Sequence, residues 1–272
     1  MAIFMVFLLI SGTGAALEAV IVDVGAADCA ILTCGDACMM IDTGYAKTWP
    51  HVEEVLDNLD IEEIDVLVTT HPHADHIGAV EEALASIEIQ SVMMPPIEHS
   101  TATFEDMMMA IRAADIPVIY PEVGDDFQLR EATVQVLGPH PVAYQSINDW
   151  SIVLRVSYAG RSMLFCGDIE AEAEGNLIAF SDTYPLEVDI LRVAHHGSAT
   201  STTAAFVEAV RPEYAIISCD ASGDKKYPEI EVATMLYEHG AEIYTTEVCG
   251  DIWIDIKEDG GIEIAEGSTD GF

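Results

Sequence analysis

The chain is poor in positive charge. Lysine and arginine together number 10 against 48 aspartates and glutamates, a formal net charge of −38 over 272 residues. The lysines are Lys47, Lys225, Lys226 and Lys257. So little positive charge excludes a basic groove that docks polyanions by counterion release at low salt. The acid does not signal disorder, because 50% of the residues are hydrophobic. It is spread along the chain rather than gathered in a tail. A dispersed acidic surface fits a protein of a high-salt organism, since screening reaches only about 3 Å at 1 M. The competing reading is a preference for cationic partners.

A second absence is a long apolar run. Residues 2–10 are apolar but too few to cross a bilayer, so no transmembrane span is expected. Residues 1–16 look partly like a signal peptide, with small residues at 11–16, yet no Lys or Arg precedes the run. Secretion and a cytoplasmic location both stay open. Paired cysteines are missing too. There are six cysteines and no C-x2-C; Cys34 and Cys38 stand four apart, with no second pair to complete a zinc knuckle. Buried thiols are the expectation. No low-complexity linker or long repeat divides the chain, so residues 17–272 read as one domain.

Against these absences stands THPHADHIGA, residues 70–79. It packs His71, His73, Asp75 and His76 into six positions. An apolar run at 64–69 precedes it and reads as a buried strand; a helix is expected over 76–86. The cluster therefore falls on a turn at a strand's C-terminal end, where α/β proteins place chemistry. His71 and His73 alternate and point the same way in extended backbone. Asp75 and His76 come a turn later. Two ligand pairs this close suit two divalent metal ions, with zinc favoured and manganese or iron as alternatives.

The remaining pattern predicts strands at 17–24, 29–33, 37–41, 87–94, 117–120, 133–137, 151–158, 162–166, 188–194, 214–219, 242–246, 252–256 and 262–265. Helices are expected at 50–59, 101–114, 170–180, 202–210 and 228–239, and residues 121–129 read as an acidic loop. Strands and helices alternating within two halves predict an α/β fold of two face-to-face sheets with helices outside. Asp168 and the pair His195-His196 each follow an apolar strand, so they emerge at an edge. A buried carboxylate among histidines is costly unless a cation compensates it.

THPHADHIGA resembles the HxHxDH signature of the metallo-β-lactamase-fold hydrolases. DVGAADCAIL (23–32), MIDTG (40–44), NDWSIVL (148–154), LFCGDIE (164–170) and LRVAHHGSATS (191–201) follow in order. The series is similar to the hydrolase domain of ComEC-type competence proteins and their stand-alone relatives, over roughly residues 18–265.

The resemblance implies an αββα sandwich of two mixed β-sheets flanked by helices. It implies that His71 and His73 bind one metal, that Asp75 and His76 bind a second, and that Asp168 bridges them. A histidine of the pair His195-His196 completes the second site. Spacing does not say which; His195 is favoured as the ligand, leaving His196 to contact substrate phosphate or move a proton. A metal-bridged hydroxide is the expected nucleophile, with Asp75 orienting the water or taking its proton. Asp42 is expected to steady a ligand histidine, with Asp23, Asp28 and Asn148 shaping the surrounding loops. Ser198, Thr200 and Ser201 are expected to hydrogen-bond a phosphate.

Departures accompany the match. Many members supply a further histidine between the HxHxDH turn and the bridging aspartate; NDWSIVL has none. Ala26 and Ala27 stand where Gln and Gly are common, and Glu229 where relatives often have histidine. His51, His99, His140 and His239 read as histidines without partners at ligand spacing.

The leading expectation is a phosphodiesterase or nuclease, with DNA among the candidate substrates. The alternatives are hydrolysis of esters, thioesters or lactones by the same chemistry, and a metal-binding protein without turnover.

Overall fold

The computed structural model describes residues 16–220 and 226–267. The signal-like segment therefore lies, but for Ala16, outside the described residues. Two large sheets dominate. The first has eight strands, ordered Ile262–Glu266, Ile252–Ile256, Leu17–Ile21, Ala30–Cys34, Ala37–Ile41, Val66–Val68, Val92–Met93 and Val118–Ile119. The second has seven, ordered Asp126–Leu129, Ala132–Gly138, Val153–Tyr158, Arg161–Phe165, Ile190–Arg192, Tyr214–Ile217 and Glu242–Thr245. Both are mixed: hairpin-connected neighbours pair antiparallel, and strands joined through helices pair parallel.

Strand periodicity sorts the side chains into layers. Leu17, Ala19 and Ile21 enter the core between the sheets, facing Val134, Leu154, Val156 and Phe165. Val20 and Val22, the alternate residues, enter a second core. That core is closed by helices Trp49–Asn58, Val80–Ser86 and Ala102–Ala113. A third core lies on the far side of the second sheet, under helices Ala171–Ala179, Ala204–Val210 and Ile230–Glu238. Helix, sheet, sheet, helix is the sandwich that the alternation predicts.

Several local readings differ from the sequence expectation. The runs at 64–69 and 87–94 are each two strands, not one. Ile64 pairs with Ile89 in a separate two-stranded sheet, and the Asp65 carboxylate accepts the Cys38 N–H at 2.8 Å, so the chain changes sheet there. The expected helix over 76–86 is broken into Ala74–Ile77 and Val80–Ser86. At the break, a Cβ on Gly78 would stand 2.3 Å from the Ala74 carbonyl oxygen, so only glycine fits. The acidic loop at 121–129 ends in an edge strand, Asp126–Leu129, paired on one side only.

The parallel strands aim one end of each sheet at a shared edge. Ala37–Ile41 and Val66–Val68 run into Asp42 and the His71 turn. Arg161–Phe165 and Ile190–Arg192 run into Asp168 and the His195-His196 turn. The Ile152 N–H donates to the Thr70 carbonyl at 3.0 Å and ties the two edges together. A Cβ on Gly167 would lie 2.9 Å from Ser151 and 3.1 Å from Thr70, so the strand ends meet closely just before Asp168.

Candidate metal centre

Three groups of side chains converge at this edge. His71, His73 and Asp168 form one; Asp75, His76, Asp168 and His196 form another; Asp28, Asp42 and His76 form a third behind them. Asp168 belongs to two groups and is almost wholly buried. Its Oδ1 lies 3.3 Å from His76 Nε2 and its Oδ2 lies 3.8 Å from His71 Nε2.

Each ring has a defined rear support. His76 Nδ1 donates to Asp42 Oδ2 at 2.7 Å. Asp42 is fully buried and also accepts the Thr70 N–H and Thr70 Oγ1–H, both at 2.7 Å. His196 Nδ1 donates to the Ser218 carbonyl at 3.1 Å and stands 3.4 Å from Asp28 Oδ1. His196 Nε2 stands 3.5 Å from Asp75 Oδ2. A histidine that gives its Nδ1 proton to an acceptor presents Nε2 as a lone pair.

The fronts of these rings have no hydrogen-bond partner. His76 Nε2, His196 Nε2 and Asp168 Oδ1 are buried and unsatisfied. With the Nδ1 proton on Asp42, His76 Nε2 and Asp168 Oδ1 face each other as two acceptors. Such a pair repels unless a proton or a cation lies between. Burial pulls the His76 pKa down, but the Asp168 and Asp42 carboxylates raise it further, to well above its ordinary value. Burial acts the other way on Asp168, and His76 and His196 outweigh it, holding the carboxyl well below its usual range. Burial and the neighbouring His76 hold His71 well below the usual imidazole value, so it stays neutral and able to donate a lone pair. Imidazole nitrogens with carboxylate oxygens fit a divalent transition metal.

The placements differ from expectation at several positions. The second group takes His196, not His195. Both residues are left-handed, at φ 51° and 57°, and this turn sends the His196 ring inward while His195 stays partly exposed. Asp28 falls in the third group, and Asn148 in none. Asp28 ion-pairs with the buried Arg192, and Asn148 Nδ2 donates to Glu170 Oε1 at 3.3 Å. Asp23 lies apart from the three groups: its N–H donates to Asp251 at 2.8 Å, and Asp251 also holds His51 at 2.9 Å. Ser198 and Ser201 are both buried, so neither offers a hydroxyl to solvent; Thr200 between them is exposed. The His99 ring packs edge-on against His73 at 6.0 Å, outside the three groups. His140 is buried and stacks on Phe180 at 4.5 Å, away from the centre.

Arg192 and Glu170 escaped the sequence reading. A lone arginine in the apolar run at 188–194 was the available signal, since a buried guanidinium needs a carboxylate. Glu170 carried no comparable signal.

The chain is 30% identical over 193 residues to ComE operon protein 3 of Bacillus subtilis, covering 71% of this chain and 24% of that protein. It is 28% identical over 218 residues to Recombination protein 2 of Haemophilus influenzae, covering 79% of this chain and 25% of that protein. The chain thus spans about a quarter of the length of these relatives. Among solved structures, the diiron β-hydroxylase CmlA of Streptomyces venezuelae superposes with a TM-score of 0.54 at 15% identity, covering 86% of this chain and 53% of that one. That likeness concerns the fold. Residues 22–221 match the family model of the metallo-beta-lactamase superfamily, and the chain belongs to that superfamily.

Proposed function

We propose that the protein is a metal-dependent hydrolase of phosphodiester bonds that carries two divalent cations, zinc or a chemically similar metal. The observation that carries this is the convergence of His76 Nε2, His196 Nε2 and Asp168 Oδ1, buried atoms without hydrogen-bond partners. His71, His73 and Asp168 would hold one cation; Asp75, His76, His196 and Asp168 would hold the other. Bound in pairs, such cations make water a nucleophile near neutral pH and offset charge that develops on the reacting phosphate.

The chain's own residues do the rest. Asp168 supplies one oxygen toward each group and fixes their separation. Asp42 keeps His76 in the tautomer whose Nε2 lone pair faces the centre. Asp75 is partly exposed at the mouth, with its carboxyl held low: burial raises its pKa, and the neighbouring His196 and His76 imidazoles overcome that. An ionised carboxylate there can orient water. A relative named Recombination protein 2 supports nucleic-acid phosphodiesters as the substrate class.

Bis(p-nitrophenyl) phosphate, an ester of comparable leaving group and a lactone, each assayed at high salt, test this reading. Turnover of the phosphodiester that is lost in Asp168→Asn, with the fold retained, is the expected result. Turnover of the carboxylic esters alone would replace it with ester or lactone hydrolysis. Full metal loading without any turnover would leave a metal-binding protein.

A further inference from the structure

We infer that the adjacent histidines serve both cations, one imidazole each, and that His195 supplies the histidine that NDWSIVL lacks. The inference rests on the metal-centre reading above. The Asp168 carboxylate divides the rings. His195 Nε2 lies 3.9 Å from Asp168 Oδ2, the same oxygen that His71 Nε2 approaches at 3.8 Å. His76 Nε2 approaches the other oxygen, Oδ1, at 3.3 Å, and His196 turns to Asp75. His195 therefore sits on the His71 side of Asp168, opposite to its neighbour in sequence.

The rear of His195 has the support that a ligand ring needs. Its Nδ1 faces Thr200 Oγ1 at 3.2 Å and Glu170 Oε1 at 3.5 Å. Glu170 Oε1 is itself fixed, accepting from Thr200 Oγ1 at 3.0 Å and from Asn148 Nδ2 at 3.3 Å. This repeats the pattern at His76 and His196, where an acceptor on Nδ1 leaves Nε2 for the centre. The backbone provides the divergence: consecutive left-handed residues set the two rings 6.3 Å apart and 69° from coplanar. His195 lies outside the tightest His71–His73–Asp168 group and is partly exposed. One cation's ligands are then His71, His73, His195 and Asp168; the other's are Asp75, His76, His196 and Asp168. Glu170 is a positioning residue, and it belongs to the strand-end segment that carries Asp168.

Calorimetric titration of zinc into metal-free protein tests this, with elemental analysis of the loaded forms. Wild type takes two ions. His195→Ala and His73→Ala each weaken the same ion, and their combination still costs only that one. His196→Ala weakens the other. Thr200→Val keeps both sites and weakens the His195 site about 10- to 100-fold, as loss of a ligand's outer hydrogen bond does. Circular dichroism checks each fold; if His195→Ala does not fold, Thr200→Val carries the same test with the ring intact. Two ions at wild-type affinity in His195→Ala, or loss of the ion that His196→Ala loses, overturns the inference. Fewer than two ions in the wild type overturns the two-cation reading beneath it instead.

Discussion

Replacing Asp42 by asparagine reverses a tautomer at the centre of the site. Asp42 Oδ2 accepts the Nδ1 proton of His76, and that leaves His76 Nε2 as a lone pair facing Asp168. An asparagine whose Oδ1 keeps the Thr70 N–H bond turns its amide N–H2 toward His76. Two donors cannot share that contact. The His76 proton then moves to Nε2, which ceases to be a ligand atom. The expected loss is about 10- to 100-fold in affinity for the second cation, or about 1.4–2.7 kcal/mol. Asp42→Ala behaves differently. It strands the buried Thr70 N–H and the His76 N–H, at about 1–3 kcal/mol each, so metal-free protein loses about 2–6 kcal/mol of stability. Urea unfolding of the metal-free forms and zinc titration of the folded forms separate the two effects. An Asp42→Asn protein that binds both ions with wild-type affinity would refute the tautomer argument.

Gly197→Ala places a Cβ 2.6 Å from Pro228 Cβ at a φ of 79°, and should cost about 2–4 kcal/mol in urea unfolding while also disturbing both adjacent histidines. Arg192→Met leaves the Asp28 carboxylate buried without its partner and should cost about 3–5 kcal/mol by the same measurement. Glu174 is buried, and burial raises its pKa although hydrogen bonds from Thr203 and Thr202 partly offset the rise. A raised carboxyl contributes stability that is full below its ordinary value of 4.5 and is lost as pH climbs through the folded value. The stability of wild type relative to Glu174→Gln should therefore fall as pH rises above the ordinary value of 4.5, read by urea unfolding at each pH. Raising sodium chloride from about 0.1 M to about 2 M should raise Tm, because a net charge of −38 repels itself until screened.

The layers of the fold were legible because burial alternates along strands such as Leu17–Ile21 and recurs helically at Trp49, Val52, Val55 and Leu56. The strand ends that carry His71, Asp168 and the histidine pair were legible for the same reason. What escaped depends on backbone torsion and on distant partners. Propensity does not foresee two left-handed histidines in succession, so His196 rather than His195 joining Asp75 could not be read. The edge strand Asp126–Leu129 has exposed acidic and polar positions and one partner strand, which in sequence looks like a loop. His99 approaches His73 only because the chain after Met94 folds back to the edge, a tertiary fact without a local signal. Ser198 and Ser201 had the right chemistry for phosphate but are covered by the turn that follows the histidines.

The most direct test of the central claim is the metal content of protein purified at high salt, measured by elemental analysis before and after reconstitution, with phosphodiester turnover followed on the same samples. The account predicts two divalent ions per chain, turnover that follows their occupancy, and loss of both in Asp168→Asn. No bound metal after reconstitution of a folded protein would contradict it, and would remove His71, His73, Asp75, His76, Asp168, His195 and His196 as a metal centre.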